Sequence, residues 1–337
     1  MRSEAPGDVL KVWFYATASV LLGAWWTPLL YNAGKALAEV SSVKQTNGPL
    51  EWLANHCRAA SFPEFFEAGL LLAAVFLFLP FIRWLHHGQS PEYRKSLAWR
   101  HLDHHASPEG QPLHRNPWAA RQMVMGFLIV SVLFFLIAGI LMLLGVLQWK
   151  TPVESLGKVA FRGFWLAVVL AVVQEFVFRG IALGIFLRAM RPSVALAVAA
   201  LLFALVHFLN PPPGLNVLDP DGEGTGFELL GKIVDQFGDL RAVLGSLAPM
   251  LALGGILGYA RWRTASLSLP IGLHAGWLFV NAILASVTIA SGNDHFTAWL
   301  LSGTALRRGL IPLAGIVLAG VLTVYLTKSD VRTDSAV

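Results

Sequence analysis

Residues Met123 to Leu147, MVMGFLIVSVLFFLIAGILMLLGVL, run for 25 residues without one ionisable side chain or proline. At 1.5 Å of rise per residue, such a helix is roughly 37 Å long, enough to cross a hydrocarbon core of ~30 Å. That core offers no water to backbone groups, so a spanning segment must be a helix or one strand of a closed barrel. A barrel strand needs only about 10 residues and alternates apolar with polar ones. This run does neither and is read as a transmembrane helix.

Working outward, similar blocks fall at Val12–Tyr31, Phe65–Leu85, Gly163–Leu187, Ser193–Leu209, Val243–Ala260, Ala265–Ala290 and Gly309–Thr327. The expected fold class is all-α: a polytopic transmembrane helix bundle of about eight spans. The composition agrees, with 55% hydrophobic and 13% charged residues in 337 and a mean hydropathy of +0.61. A soluble domain carries about 25% charged residues. The first block ends in Trp25, Trp26, Pro28 and Tyr31 without a small-residue cleavage pattern, and is expected to be a retained helix rather than a cleaved signal peptide.

Of the 25 Lys and Arg residues, the largest group lies between Arg83 and Arg121. The positive-inside rule then places both termini in the cytoplasm. The net charge of +5 is explained by that bias and by attraction to anionic lipid, so no nucleic-acid partner is expected. The single cysteine, Cys57, excludes an intramolecular disulfide. Two stretches lie outside the spans: residues 86–120, polar and rich in His, and residues 210–242, which run from Asn210-Pro-Pro-Pro through an acidic segment into an amphipathic piece, Phe227–Phe237.

Charge inside a membrane helix is costly and is the first thing to explain. The fourth block contains Gln174-Glu175-Phe176-Val177-Phe178-Arg179-Gly180. Glu175 and Arg179 are four apart, hence on one face and able to pair, either as a structural lock between helices or as part of a site. The fifth block ends in Phe203-Ala-Leu-Val-His207, and the seventh holds His274-Ala-Gly-Trp-Leu278. A lone His in an apolar helix is more often a packing residue. One carboxylate and two imidazoles on three separate spans are instead a kit for activating a water and stabilising an oxyanion. Glu175, His207 and His274 are therefore expected to line one polar pocket.

These segments resemble, in order and spacing, the motifs of the CPBP family, the type II CAAX prenyl proteases and the bacteriocin-processing (Abi-like) intramembrane metalloproteases. The family carries Glu-Glu-x-x-x-Arg, then Phe-x-x-x-His, then His-x-x-x-Asn. Here the first reads Gln174-Glu175-x-x-x-Arg179, and the second, Phe203-x-x-x-His207, matches in full. The third keeps His274 but has Leu278 where Asn is expected; the arginine-bearing loop Tyr259–Arg263 precedes it. The resemblance covers about residues 160–290. It implies peptide-bond hydrolysis at membrane depth, with catalytic roles for Glu175, His207 and His274 and supporting roles for Gln174, Arg179, Phe203 and Leu278. In the family, the first Glu and the second-motif His activate water, while the third-motif His and Asn hold the oxyanion. Gln174 can hydrogen-bond a water but cannot take its proton. Leu278 cannot donate to an oxyanion, a loss worth ~3–4 kcal/mol in other enzymes. Asn281, two turns beyond His274, is expected to make an interhelical hydrogen bond or to order water.

On this reading residues 1–150 form an N-terminal transmembrane extension with the His-rich cytoplasmic loop, 151–290 a protease domain, and 291–337 the last span and tail. The partners implied are the lipid bilayer, in a bacterial inner membrane, and a membrane-associated or lipidated peptide. A catalytically degenerate regulator or chaperone of the same fold is the alternative, supported by Gln174 and Leu278. A third reading is a membrane lipid oxidase, because His101-x-x-His104-His105 has the spacing of a histidine box. Such enzymes need several boxes and this chain has one. No cofactor is expected at the main site beyond the divalent metal that the metalloprotease resemblance leaves open.

Overall fold

The computed structural model describes residues 5–44, 47–87, 116–151, 155–211, 217, 219, 220, 222, 224–291, 301 and 306–327. Along the chain these form α1 (Ala5–Lys44), α2 (Pro49–Ala59), α3 (Phe62–His86), α4 (Ala119–Leu143), β1 (Leu147–Trp149), α5 (Leu156–Ala189), α6 (Pro192–Phe208), α7 (Thr225–Asp235), α8 (Leu240–Thr264), α9 (Ser268–Val287), β2 (Thr288–Ala290) and α10 (Leu310–Thr327). Seven of these helices, α1, α3, α4, α5, α8, α9 and α10, are long and apolar enough to cross a membrane. The eighth expected span, α6, is apolar but has 17 residues. The chain is an all-α polytopic membrane protein.

The block boundaries shift for local reasons. The seventh block ends early because Thr288–Ala290 leaves the helix to pair antiparallel with Leu147–Trp149, which ties the ends of α4 and α9 together. The stretch Tyr259–Arg263, expected as a loop, is the end of α8, which runs on to Thr264. The helix stops at Ala265, whose φ of 49° lies in the left-handed region.

The chain divides into two compact units. One comprises Ser3–Arg94 and Phe208–Asp239. In it α1 and α3 approach so closely that a β-carbon at Gly23 or Gly69 would strike the opposite helix. Pro28 has no N–H to give the Ala24 carbonyl four residues before it. Gly226, in the first turn of α7, packs against that same carbonyl with no room for a side chain. Leu229 and Ile233 of α7 then bury against Ala24, Phe62 and Phe66. Lys35 caps the end of α2, its Nζ donating to the carbonyls of Cys57, Arg58 and Ala60 at 3.0, 3.0 and 2.7 Å.

The other unit comprises Lys95–His207 and Leu240–Val337. Its core runs from Val130 and Phe134 on α4 through Phe203 on α6 and Leu253 and Leu257 on α8 to Leu273 and Val280 on α9 and Ile316 on α10. Thus α4, which lies N-terminal to residue 151, packs in the unit that holds Glu175, His207 and His274.

Candidate functional site

Glu175 is the last residue of regular α-helix in α5; Phe176–Ala182 are π-helical before the α pattern resumes at Leu183. A π turn bonds i to i+5 and so absorbs one extra residue, changing how the residues before it face relative to those after. Gln174 and Glu175 point ~100° apart on an α-helix. Glu175 continues the buried stripe Val159, Gly163, Ala167 and Ala171 of the regular helix, and the π turn that follows buries Arg179, Gly180, Ile181 and Ala182 in succession. Glu175 is fully buried and Gln174 half-buried.

Glu175 Oε1 accepts two charge-assisted bonds. Arg179 Nη1 donates to it at 2.9 Å from the next turn, and His274 Nδ1 donates at 2.6 Å from α9. Arg179, 2% exposed, also donates from Nη2 to the Gly254 carbonyl on α8 at 3.2 Å. Its guanidinium lies 4.2 Å over the ring of Phe203. A buried charge pair is tolerable only when its remaining hydrogen-bonding capacity is met, and Arg179 is met by a carboxylate, a carbonyl and a π face. One guanidinium thereby joins α5, α6 and α8.

His207 lies in the last turn of α6, with Nδ1 2.8 Å from the carbonyl of Phe203 one turn back. A ring nitrogen facing a carbonyl carries the hydrogen, which leaves Nε2 with the lone pair in the neutral ring. The same logic applies to His274, whose Nδ1–H is engaged by Glu175. The two imidazoles flank Phe203, with centroids 4.0 Å (His207) and 5.8 Å (His274) from its ring. Glu175 Oε2, His274 Nε2 and Gln174 Oε1 are buried without a protein hydrogen bond among the described residues. Bare polar atoms in an apolar interior are costly and recur where a protein receives a polar ligand or water.

What aims His274 is the packing of α9 on α4. Gly272 abuts the Met123 carbonyl and Gly276 the Phe127 carbonyl, and Gly126 of α4 answers against Leu269 and Leu273. Gly272 and Gly276 are four apart and face α4 together; His274, halfway between, lies ~180° from their mean direction. Close contact with α4 on one side of α9 therefore presents His274 on the other.

The remaining residues singled out from the sequence separate. Leu278 is partly buried against the apolar core. Asn281 is fully buried, but its Nδ2 donates to the Trp277 carbonyl of its own helix at 2.8 Å. The interhelical bond expected of it is replaced by this local one, because the carbonyl one turn back is always within reach of a short amide. His101, His104 and His105 lie outside the described residues, as does His114. Among the described residues no three His, Cys, Asp or Glu side chains are placed to share a metal ion. The sequence reading missed the Gly254 carbonyl and the Gly272–Gly276 contact. The spacing of the two glycines was the available signal for the latter; nothing marked the former.

Residues 156–280 match the family model described as Rce1-like, type II CAAX prenyl endopeptidase Rce1-like. No curated protein and no solved structure matches the chain.

Proposed function

We propose that this chain, whose residues 156–280 match the Rce1-like family model, is a CPBP-type membrane-embedded endopeptidase that hydrolyses a peptide bond of a membrane-associated or lipidated peptide. The observation that carries the reading is the buried bond from His274 to Glu175, which leaves the Nε2 of His274 without a protein partner. A carboxylate on Nδ1–H selects the tautomer in which Nε2 is basic and stabilises the imidazolium formed when that nitrogen takes a proton. Gln174 cannot serve as the proton acceptor, so in this proposal the Glu175–His274 pair does. His274 then works as the base, in place of the oxyanion role that the resemblance alone implies. His274 Nε2 takes a proton from water as its oxygen attacks the scissile carbonyl, and returns it to the leaving amine. His207 Nε2 accepts the second water hydrogen and orients the nucleophile. The enzyme sits in a bacterial inner membrane with both termini in the cytoplasm.

A second reading, a CPBP-fold regulator or chaperone without proteolysis, is favoured by Leu278 lying against the apolar core where an oxyanion donor is needed. One assay separates the two. The purified chain in liposomes is given quenched fluorescent peptides with and without a farnesyl thioether. The protease reading expects slow cleavage that His274→Ala, His207→Ala and Glu175→Gln each abolish without loss of fold. A folded wild type that cuts neither peptide overturns it in favour of the second, and a His274→Ala variant that cuts normally overturns the assignment of His274 as the base.

A further inference from the structure

The helices α8 and α10 run parallel. The Gly309 N–H donates to the Gly245 carbonyl at 2.7 Å near their N-terminal ends, and Gly320 meets Ile256 further along. Between them lies an open apolar groove of about 540 Å³, floored by Ala252, Gly255 and Gly320 and walled by Val324. Tyr259 and Tyr325 stand at its C-terminal end, one on each helix. Positions 252, 255 and 259 lie on one face of α8, and the next residues on that face are 262 and 263. These are Trp262, 45% exposed, and Arg263, whose Nε is buried without a protein partner among the described residues. An apolar trough that ends in tyrosines, with a tryptophan and an unpartnered guanidinium nitrogen one turn further along the same helix face, has the order of a phospholipid: chain, interface, phosphate. Aromatic side chains prefer the headgroup level of a bilayer, and a basic residue beyond them meets anionic lipid.

We propose that the α8–α10 groove holds one acyl chain of an anionic phospholipid whose phosphate is bound by Arg263. The volume lies within the 300–1,000 Å³ common for small-molecule pockets. The site is independent of the Glu175–His274 pair and of whether the chain is a protease.

The test uses the full chain in nanodiscs of phosphatidylcholine alone or with one-fifth phosphatidylglycerol, read by thermal melting and by native mass spectrometry of retained lipid. A β-carbon at Gly255 meets nothing within 4 Å, so Gly255→Leu fills the groove without a clash at its β-carbon. Gly139→Leu, on α4 and equally open, is the matched control. Expected are a rise in melting temperature of a few degrees with phosphatidylglycerol and one retained anionic lipid in the wild type and in Gly139→Leu. Gly255→Leu and Arg263→Gln should each lose the bound lipid and at least half of the rise. Three outcomes overturn the proposal: no rise in the wild type, an equal rise in Gly255→Leu and Arg263→Gln, or an equal rise from soluble glycerol phosphate.

Discussion

His274 donates its Nδ1–H to Glu175 Oε1 at 2.6 Å across 99 residues of chain, with both side chains fully buried. The bond joins the helix with the π turn to the helix that α4 grips through glycines. Its geometry depends on both, and so do the predictions about the site.

Arg179 is the other partner of Glu175, and its removal should cost most in stability. Arg179→Ala leaves a buried carboxylate short of its counter-charge, which costs ~3–5 kcal/mol in comparable pairs. Arg179→Lys should recover only part, because an ammonium lacks the planar fork that reaches Glu175 and the Gly254 carbonyl together. Detergent melting curves check this; an alanine variant that melts with the wild type would refute the role.

Leu278 and Gln174 are the two positions that depart from the motifs this chain resembles. Gln174→Glu with Leu278→Asn restores a proton acceptor and an oxyanion donor, each worth on the order of 10²–10³ in rate. The double variant should cleave a membrane peptide at least a hundredfold faster than wild type, and His207→Ala should remove the gain. A wild type that already cuts briskly and slows with Gln174→Glu alone would show that the Glu175–His274 pair is the better base.

The α4–α9 contact should be intolerant of side chains. Gly276→Val drives a branched group into the Phe127 backbone and should cost at least ~1–3 kcal/mol by overpacking while turning His274 away from Glu175. Gly163→Ala is the control, since its β-carbon would meet Ala282 at an ordinary 3.5 Å. Equal melting and equal activity in the two variants would rule out the clamp.

Lys35 caps α2 from α1 with three carbonyls. Hydrogen bonds from a charged donor are worth ~1.5–3 kcal/mol. Lys35→Met, which keeps the apolar stem, should speed amide exchange across residues 49–60. Unchanged protection there would contradict the cap.

The triple variant His101→Ala, His104→Ala, His105→Ala should behave as wild type, and purified protein should hold well under one iron per chain. Stoichiometric iron with an oxygen-dependent lipid product would revive the histidine-box reading.

From the sequence alone came the membrane bundle and the pairing of Glu175 with Arg179. Both are local matters. A helix in lipid satisfies its own backbone within four residues, and a spacing of four puts two side chains on one face wherever the helix lies. The apolar blocks therefore located each of the long helices, and the motif order pointed to two imidazoles that flank Phe203 and to the carboxylate bonded to one of them. Which of Gln174 and Glu175 turns inward was decided by which face of α5 its neighbours cover: Glu175 continues the buried stripe of Val159, Gly163, Ala167 and Ala171. The aim of His274 was decided by Gly272 and Gly276 against α4, outside the family-like segment. The groove beside Gly255 was decided by α8 and α10 running parallel. Lipid tails are as apolar as leucine, so no hydrophobic drive tells one membrane helix which neighbour to choose. That choice rests on a few close backbone approaches and buried polar bonds between residues far apart in the chain, and these exist only once the helices have packed.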